Sequence, residues 1–399
     1  MASGILDRLS PVGRIPGIDT ARGLALFGMM ATHVVPLVAG AAPSWAAVFA
    51  GRASALFALL AGFSVVLATR RVLEVPGPRG WAAAAGGLLV RGALIGVLGL
   101  VLGLLTSHIA VILVNYGVMF VLATVLLRAP TWFLGALAPV WFLVTPVVSH
   151  ALRAEFSLAP GYGIPSALDL VRPAHLAQEI LLTGYYPVLT WFGYLVAGMF
   201  LARLPWDRTL TRVLVLCFGG ALALFSKATS HIVLGLGGAA ELRRLTSMYP
   251  PYSRGSLEEA LEIGSYGVTP TDSWWWLTIS GPHSGTPFDL LHTAGLAAAV
   301  VAACALVCSA LGAREWVLAP LDAPGSMPLS VYCGHVVLVE ITALLPLSDG
   351  TEYTVHVLVC TLGALAWKLG VNRRGALEWP LSLAVRGVQH RILGEKMVG

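Results

Sequence analysis

Ten apolar runs follow one another along the chain, near residues 23–40, 46–69, 82–105, 109–127, 131–149, 184–203, 211–236, 286–311, 328–347 and 353–371. A helix needs roughly 20 mostly apolar residues to cross a bilayer. The pattern predicts an all-α protein, a polytopic integral membrane bundle of about ten transmembrane helices forming a single transmembrane domain over 1–399. Two places break the regularity. The turn Thr106-Ser107-His108 between the third and fourth runs is very short. The 211–236 run contains Lys227 and His231, so its outer half is expected to be irregular or to line a cavity. The first run is followed by the small residues Val38-Ala39-Gly40-Ala41-Ala42, but a long polar stretch with Asp7, Arg8, Arg14, Asp19 and Arg22 precedes it. It is therefore read as a retained span rather than a cleaved signal peptide.

Composition agrees. Charged residues make up 11% of the chain, against roughly a quarter in soluble domains, and mean hydropathy is +0.80. A surface this poor in charge needs lipid as its solvent. The net charge of +5 points to topology rather than to nucleic acid, because the basic residues sit mostly in short loops. With the N-terminus inside, 18 of the 25 Lys and Arg fall inside. The other seven, Arg52, Arg153, Arg172, Lys227, Arg243, Arg244 and Arg254, fall outside or in the outer half. This asymmetry predicts an N-in, C-in arrangement.

Long extracytoplasmic connections then lie at 150–183 and 237–285. The second is the most polar part of the chain and ends in Trp274-Trp275-Trp276, readable as an interfacial belt, a re-entrant lid or a sugar-stacking platform. The cytoplasmic loops are too short for a soluble catalytic domain, so any chemistry belongs to the bundle. Cys217, Cys304, Cys308, Cys333 and Cys360 all lie in apolar segments without a Cys-x-x-Cys pair, and are expected as buried structural thiols. No His-x-x-x-His or His-Glu-x-x-His spacing occurs, so no metal site is expected.

Ionisable groups inside spans are costly and mark candidate functional positions. Asp19 and Arg22, three apart, share a helix face and can pair, either as a capped helix entrance or as part of a site. His33 lies fourteen residues further, about 21 Å up the helix at 1.5 Å per residue. It is a candidate general base, transient acyl acceptor or hydrogen-bonded strut. Arg52, at the outer end of the second run, could bind an anionic group or anchor the helix. His108, Tyr185, Tyr186, His231, His283, Asp289 and His292 converge on the outer side by topology. Asp289 and His292 have the spacing of a carboxylate that orients an imidazole. Tyr186-Pro187 with Trp191 reads as an interfacial helix start or a substrate mouth. On the inner side, Ser330, Tyr332 and His335 open the ninth run, as packing contacts or as site groups.

Several segments carry a family resemblance. Arg14-x-x-x-Ile18-Asp19-x-x-Arg22-Gly23-Leu24-Ala25-Leu26 resembles the opening motif of a bacterial membrane superfamily. That superfamily unites YeiB-type proteins with the heparan-alpha-glucosaminide N-acetyltransferase family, whose lysosomal member acetylates glucosamine ends of heparan sulfate. The segments 52–62, Leu182-Thr183-Gly184-Tyr185-Tyr186-Pro187 with Trp191, 324–332, and Arg374-Gly375-Ala376-Leu377-Glu378-Trp379 fit in the same order. The resemblance implies a membrane-embedded acyltransferase in the bacterial plasma membrane. An acyl group, acetyl by analogy, would pass from cytoplasmic acyl-CoA to an amine or hydroxyl of a sugar or envelope lipid outside.

Acetyl-CoA or another acyl-CoA would then be a co-substrate, with no cofactor held permanently. Arg22, Arg70, Arg71 and Arg79 are the candidates for holding it, and His33, Arg52, Asp289 and His292 for the chemistry. Asp19, Tyr186, Trp191, Ser330, Tyr332, His335 and Glu378 are motif positions. The bilayer and a small-molecule, sugar or lipid acceptor are the expected partners, nucleic acid is not, and a homodimer is compatible with the sequence. The lysosomal enzymes carry their essential histidine in the loop just before Ser-Trp. Here that stretch reads Ala41-Ala42-Pro43-Ser44-Trp45, without histidine. A transporter or flippase of a small or lipid-linked solute, and a non-catalytic membrane partner or sensor, are the alternatives.

Overall fold

The computed structural model describes residues 15, 17–39, 42–106, 109–248 and 256–394, so His108 and Arg254 lie outside the described residues. Each of the ten apolar runs forms a helix. In chain order the helices are α1 (Ile18–Val34), α2 (Arg52–Leu73), α3 (Pro78–Leu102), α4 (Leu113–Ala123), α5 (Thr131–Glu155), α6 (Pro173–Gln178), α7 (Val188–Leu201), α8 (Thr209–Val233), α9 (Ala239–Ser247), α10 (Leu257–Glu262), α11 (Pro287–Leu311), α12 (Ala319–Ser326), α13 (Pro328–Thr342), α14 (Asp349–Gly370) and α15 (Glu378–Leu393). Among the described residues the only strands are the antiparallel pair Val38–Ala39 and Ala42–Pro43.

Six helical stretches are long and apolar enough to cross a membrane: Trp45–Leu73, Pro78–Leu102, Thr131–Glu155, Thr209–Ser247, Pro287–Ser326 and Asp349–Gly370. A seventh arises if Pro173–Thr183 and Val188–Leu201, bent by 54°, make one span. The first, fourth and ninth runs form shorter helices, α1, Leu113–Leu126 and α13. The protein is thus an all-α polytopic membrane bundle.

Several expectations are corrected in detail. The 150–183 connection is not all loop: α5 runs on to Glu155, and α6 with a π turn over Glu179–Thr183 forms the first arm of the bent pair. The eighth helix is regular through Lys227 and His231, and its break falls later, at Leu234–Gly238, where Gly237 takes φ 127°. Lys227 and His231 are exposed on that helix rather than turned into the bundle. Cys217 is exposed, while the other four cysteines are buried as expected.

Helix α1 lies at the centre, touching α2, α11, α12, α13 and α14. In lipid, helices associate through close packing and small residues rather than through the hydrophobic effect. Here glycines supply the close approach. A Cβ on Gly23 would strike the Leu321 carbonyl of α12, and one on Gly325 of α12 would strike the Asp19 carbonyl of α1. Gly62 of α2 and Gly198 of α7 are reciprocal in the same way, each facing backbone of the other helix. These contacts seat α1 and α2 so that their polar residues meet partners instead of lipid.

Gly198→Ala therefore forces α2 and α7 apart and should cost about 1–3 kcal/mol, read as a lower thermal midpoint in detergent. Gly220→Ala, where a Cβ meets nothing within 4 Å, is the matched control and should leave the midpoint unchanged or slightly raised.

Candidate active site along the first helix

The site begins one turn into α1. Arg22 bridges Asp19 (Nη1–Oδ1 3.1 Å) and the Ser64 hydroxyl of α2 (Nη2–Oγ 2.8 Å). It lines a small cavity of about 60 Å³ with Ser64, Phe57, Arg91, Tyr116, Phe120 and Tyr332. Arg91, from α3, lies over the Phe120 ring. Its Nε and the Tyr116 hydroxyl are buried without a hydrogen-bond partner. A buried donor without an acceptor costs about 1–3 kcal/mol, so this pocket offers donors to a ligand's oxygens. Arg70, Arg71 and Arg79 are exposed where α2 turns into α3, beyond the cavity and outside its lining.

At the other end of α1 stands His33. Its Nδ1 is 2.9 Å from Nε2 of His335 on α13, and the two rings stack at 5.2 Å with planes 11° apart. His335 Nδ1 is in turn 2.8 Å from Nδ1 of His356 on α14. His335 and His356 are 1% and 0% exposed. His335 was expected among the inner-side groups, but it belongs to this cluster because α12 fills the inner layer beside α1 and α13 starts deeper. Tyr332 and His335, three apart, share a face of α13. The Arg22–Arg91 cavity thus ends one turn from the imidazoles.

Beyond His33 lies an aromatic cluster. His283, in the connection before α11, packs between Tyr185 (4.3 Å), Tyr186 (5.7 Å) and Trp191 (5.9 Å, stacked). It holds a left-handed backbone, φ 52°, and its buried Nδ1 has no partner. Strain of this kind in a non-glycine residue costs about 1–3 kcal/mol and clusters at functional sites. Burial, with a smaller contribution from His33, pushes the His283 pKa down to about 3, so the ring is neutral at physiological pH. Tyr185 also packs on Tyr266 (4.6 Å). Tyr266 lines a polar cavity of about 760 Å³ with Arg153, Tyr162, Glu259 and Trp276. Of the tryptophan run, Trp274 packs on His150 (4.3 Å), and Trp276 is buried with its Nε1 donating to Asp272 (2.9 Å). The run is thus docked onto the bundle at the edge of this cavity.

Other anticipated residues sit elsewhere. Asp289 and His292 do not pair. The Asp289 carboxylate turns back to accept from the Gly285 N–H (3.1 Å), while His292 Nδ1 reaches the Ala223 carbonyl of α8 (2.9 Å). The Asp289 partner is thus a loop N–H just before the helix, while the Thr286 hydroxyl caps the Asp289 N–H (3.1 Å). Arg52 donates to the Val48 and Ala47 carbonyls (2.9 and 3.4 Å) and lies within electrostatic range of Asp289. Glu378 caps α13, accepting from the Leu329 and Ser330 N–H groups (2.7 and 3.1 Å) and from the Ser330 hydroxyl. Ser330 and Glu378 thus hold the start of α13. Arg91, Ser64, Tyr116 and His356 escaped the sequence reading, although an arginine or histidine inside an apolar run was a sufficient signal.

The fold and these buried ionisable groups define a multi-pass helical membrane protein with a polar site enclosed by its spans. Residues 14–229 match the family model described as Heparan-alpha-glucosaminide N-acetyltransferase, catalytic. This stretch is more than half of the 399 residues, and the chain belongs to that family. No curated protein matches the chain significantly. The matched stretch holds His33, Arg22, Ser64, Arg91 and the Tyr186–Trp191 segment, whereas His283, His335 and His356 lie beyond it.

Two outcomes follow from these contacts. Glu378→Ala uncaps α13 and should lower stability by about 2 kcal/mol, measured as a drop in thermal midpoint. For His283, the folded pKa lies below the ordinary 6.5, so the unfolded chain takes up a proton first as pH falls. Stability should drop with pH from 6.5 towards 3, at about 1.4 kcal/mol per unit for this one group. His283→Asn, which tolerates the left-handed backbone, should show a shallower acid dependence of the thermal midpoint between pH 6.5 and 4.

Proposed function

We propose that this protein is a membrane-embedded acyltransferase that takes an acyl group, acetyl by family, from acyl-CoA and delivers it to an amine or hydroxyl of a sugar or envelope lipid. One observation carries the reading. Helix α1 has a cavity with unsatisfied donors, Arg91 Nε and Tyr116 Oη, near one end and an imidazole, His33, near the other. Arg22 and His33 are eleven residues apart, about 16 Å along the helix, a span that an extended pantetheine arm can bridge. The distribution of Lys and Arg supports the Arg22 end on the cytoplasmic side, where acyl-CoA is found, and in this reading the membrane is the bacterial plasma membrane.

The cavity is too small for a nucleotide. In this reading Arg70, Arg71 and Arg79 hold the CoA phosphates at the surface, and Arg22, Arg91 and Tyr116 donate to the amide carbonyls of the arm. The thioester then lies one turn further, by Tyr332 and His335. The acceptor enters through the large polar cavity past Tyr266 and Tyr185, where Trp276 and Tyr162 suit a sugar ring. His33 Nε2 takes the proton from the acceptor's amine or hydroxyl as the nucleophile attacks the thioester carbon. The new C–N or C–O bond forms, the C–S bond breaks, and the thiolate leaves, taking a proton from water on its own side to give CoA-SH. Arg52 adds positive potential on the acceptor side.

Acyl-CoA binding to the purified protein tests this directly, by calorimetry with Arg91→Ala and His33→Ala alongside. Saturable binding is expected, weakened about tenfold or more in Arg91→Ala and unchanged in His33→Ala. Transfer by His33→Ala should fall by about two orders of magnitude or more. A folded protein that binds no acyl-CoA, or that moves a solute into proteoliposomes unmodified, would sink the reading in favour of transport.

A further inference from the structure

The His33–His335 contact is one link of a longer chain. His356 Nε2 lies 3.0 Å from the Thr342 hydroxyl at the end of α13, and that hydroxyl is 2.6 Å from Glu352 Oε1 in the first turn of α14. Five side chains from three helices therefore form a continuous file: His33, His335, His356, Thr342 and Glu352. Thr342 is 2% exposed, while the Glu352 side chain is 18% exposed, so of the four residues beyond His33 only Glu352, the end of the file, is accessible. This end lies at the face where α1 finishes, since α13 ends and α14 begins there.

The direction of every hydrogen bond in the file follows from its end. An ionised carboxylate only accepts, and a neutral imidazole carries one N–H. Thr342 also lies 3.0 Å from the Leu338 carbonyl, but the charged acceptor at 2.6 Å is the stronger partner. With its proton given to Glu352, Thr342 accepts from His356 Nε2–H. His356 Nδ1 is then a bare acceptor and takes the proton of His335 Nδ1–H. His335 Nε2 is bare in turn and accepts from His33 Nδ1–H. Each step leaves one choice, and the last exposes the lone pair of His33 Nε2.

We propose that Glu352, through Thr342, His356 and His335, fixes the tautomer of His33 and serves as the sink for the proton that His33 takes up, so that the file is a proton relay from the transfer site to water. When His33 Nε2 gains a proton, its Nδ1 proton passes to His335 Nε2. The His335 Nδ1 proton passes to His356 Nδ1, the His356 Nε2 proton to Thr342, and the Thr342 proton to Glu352. One proton enters and one reaches the carboxylate, which releases it to solvent; the imidazoles are left in the opposite tautomers, and their reorientation, with no oxidant or further reactant, restores the Nε2 lone pair of His33. Neutral imidazoles suit this task because each has both a donor and an acceptor. Glu352, Thr342, His356 and His335 act through His33 and are positioning residues. The catalytic consequence rests on the acyltransferase reading, but the tautomers do not.

The test has two arms, both on the full chain in lipid. In the first, nitrogen-15 NMR of labelled histidine, assigned with His→Gln variants, reads the tautomers. Nδ1–H is expected at His33 and His335, and Nε2–H at His356. An Nε2–H tautomer or an imidazolium at His33 near neutral pH overturns the proposal, whether or not the protein proves to be a transferase. In the second arm, Glu352→Ala should bind acyl-CoA as the parent does, lose at least roughly tenfold in kcat, and recover with added formate, which a purely architectural role would not allow. Transfer at the parental kcat in Glu352→Ala overturns the relay even if the tautomers match. A parent protein that transfers nothing condemns the activity instead, and leaves the first arm to decide the file.

Discussion

Helix α1 has to carry Asp19, Arg22 and His33 through a region where water cannot solvate them. Without water, an unpaired polar group costs several kcal/mol, so each must be met by a neighbouring helix. Much of the bundle follows from that requirement. The glycine contacts of α1 with α12 draw the backbone of its first turns close to that helix. Ser64 reaches Arg22 from α2, and His335 and His356 from α13 and α14 close around His33. Helix α1 is short for a span, yet most of its residues are buried against neighbouring helices, so hydrophobic length is not what holds it in place.

The same constraint explains where the structure leaves polar atoms unmet. Of the buried side-chain atoms without partners, Arg91 Nε, Tyr116 Oη, Tyr332 Oη and His283 Nδ1 lie on the two sides of His33, while His150 Nδ1, His292 Nε2, Glu340 Oε1 and Thr361 Oγ1 lie elsewhere. A fold optimised only for stability would satisfy or remove them. In the proposed reading those near His33 mark a route: donors on the Arg22 side, aromatic walls on the Tyr185 side, and imidazoles between. The strained backbone at His283 belongs to the same pattern, because its position between Tyr185 and Trp191 is kept at a conformational cost.

Much of the fold was legible in the sequence, because hydropathy alone marks helices that must cross lipid. All ten runs became helices, and the opening motif led to the right family. The site was less legible. His33 stood out as a histidine deep in an apolar run, but its partner lies 302 residues away, and nothing local encodes that distance. Counting His335 from the start of its own helix put it near the inner side; the intervening helix α12 changes that depth. The three-residue spacing of Asp289 and His292 suggested a pair, but the carboxylate turns back to the Gly285 N–H just before the helix and His292 turns to the α8 backbone. Glu378 was noted as a motif residue, and its role as the cap of α13 becomes visible only when α15 folds back across the helix start.

The relay also bears on which chemistry His33 can perform. The loop that follows α1 folds into the short Val38–Pro43 pairing, and Ser44 Oγ donates to the Pro36 carbonyl (2.6 Å), so the described part of this loop brings no titratable group to the site. An imidazole for the proposed transfer would then come from the helix. As a covalent acyl carrier, His33 would be acylated on Nε2 and would work best while its Nδ1 proton is retained, because an acyl-imidazolium is the better acyl donor. A file that draws that proton away towards Glu352 would leave the less reactive neutral acyl-imidazole. As a general base, His33 gains from the same file: removing its Nδ1 proton is what returns it to neutrality after it has taken one on Nε2. An imidazole chain that ends in a solvent-touching carboxylate therefore favours direct transfer, with His33 as base, over a two-step path through an acylated histidine.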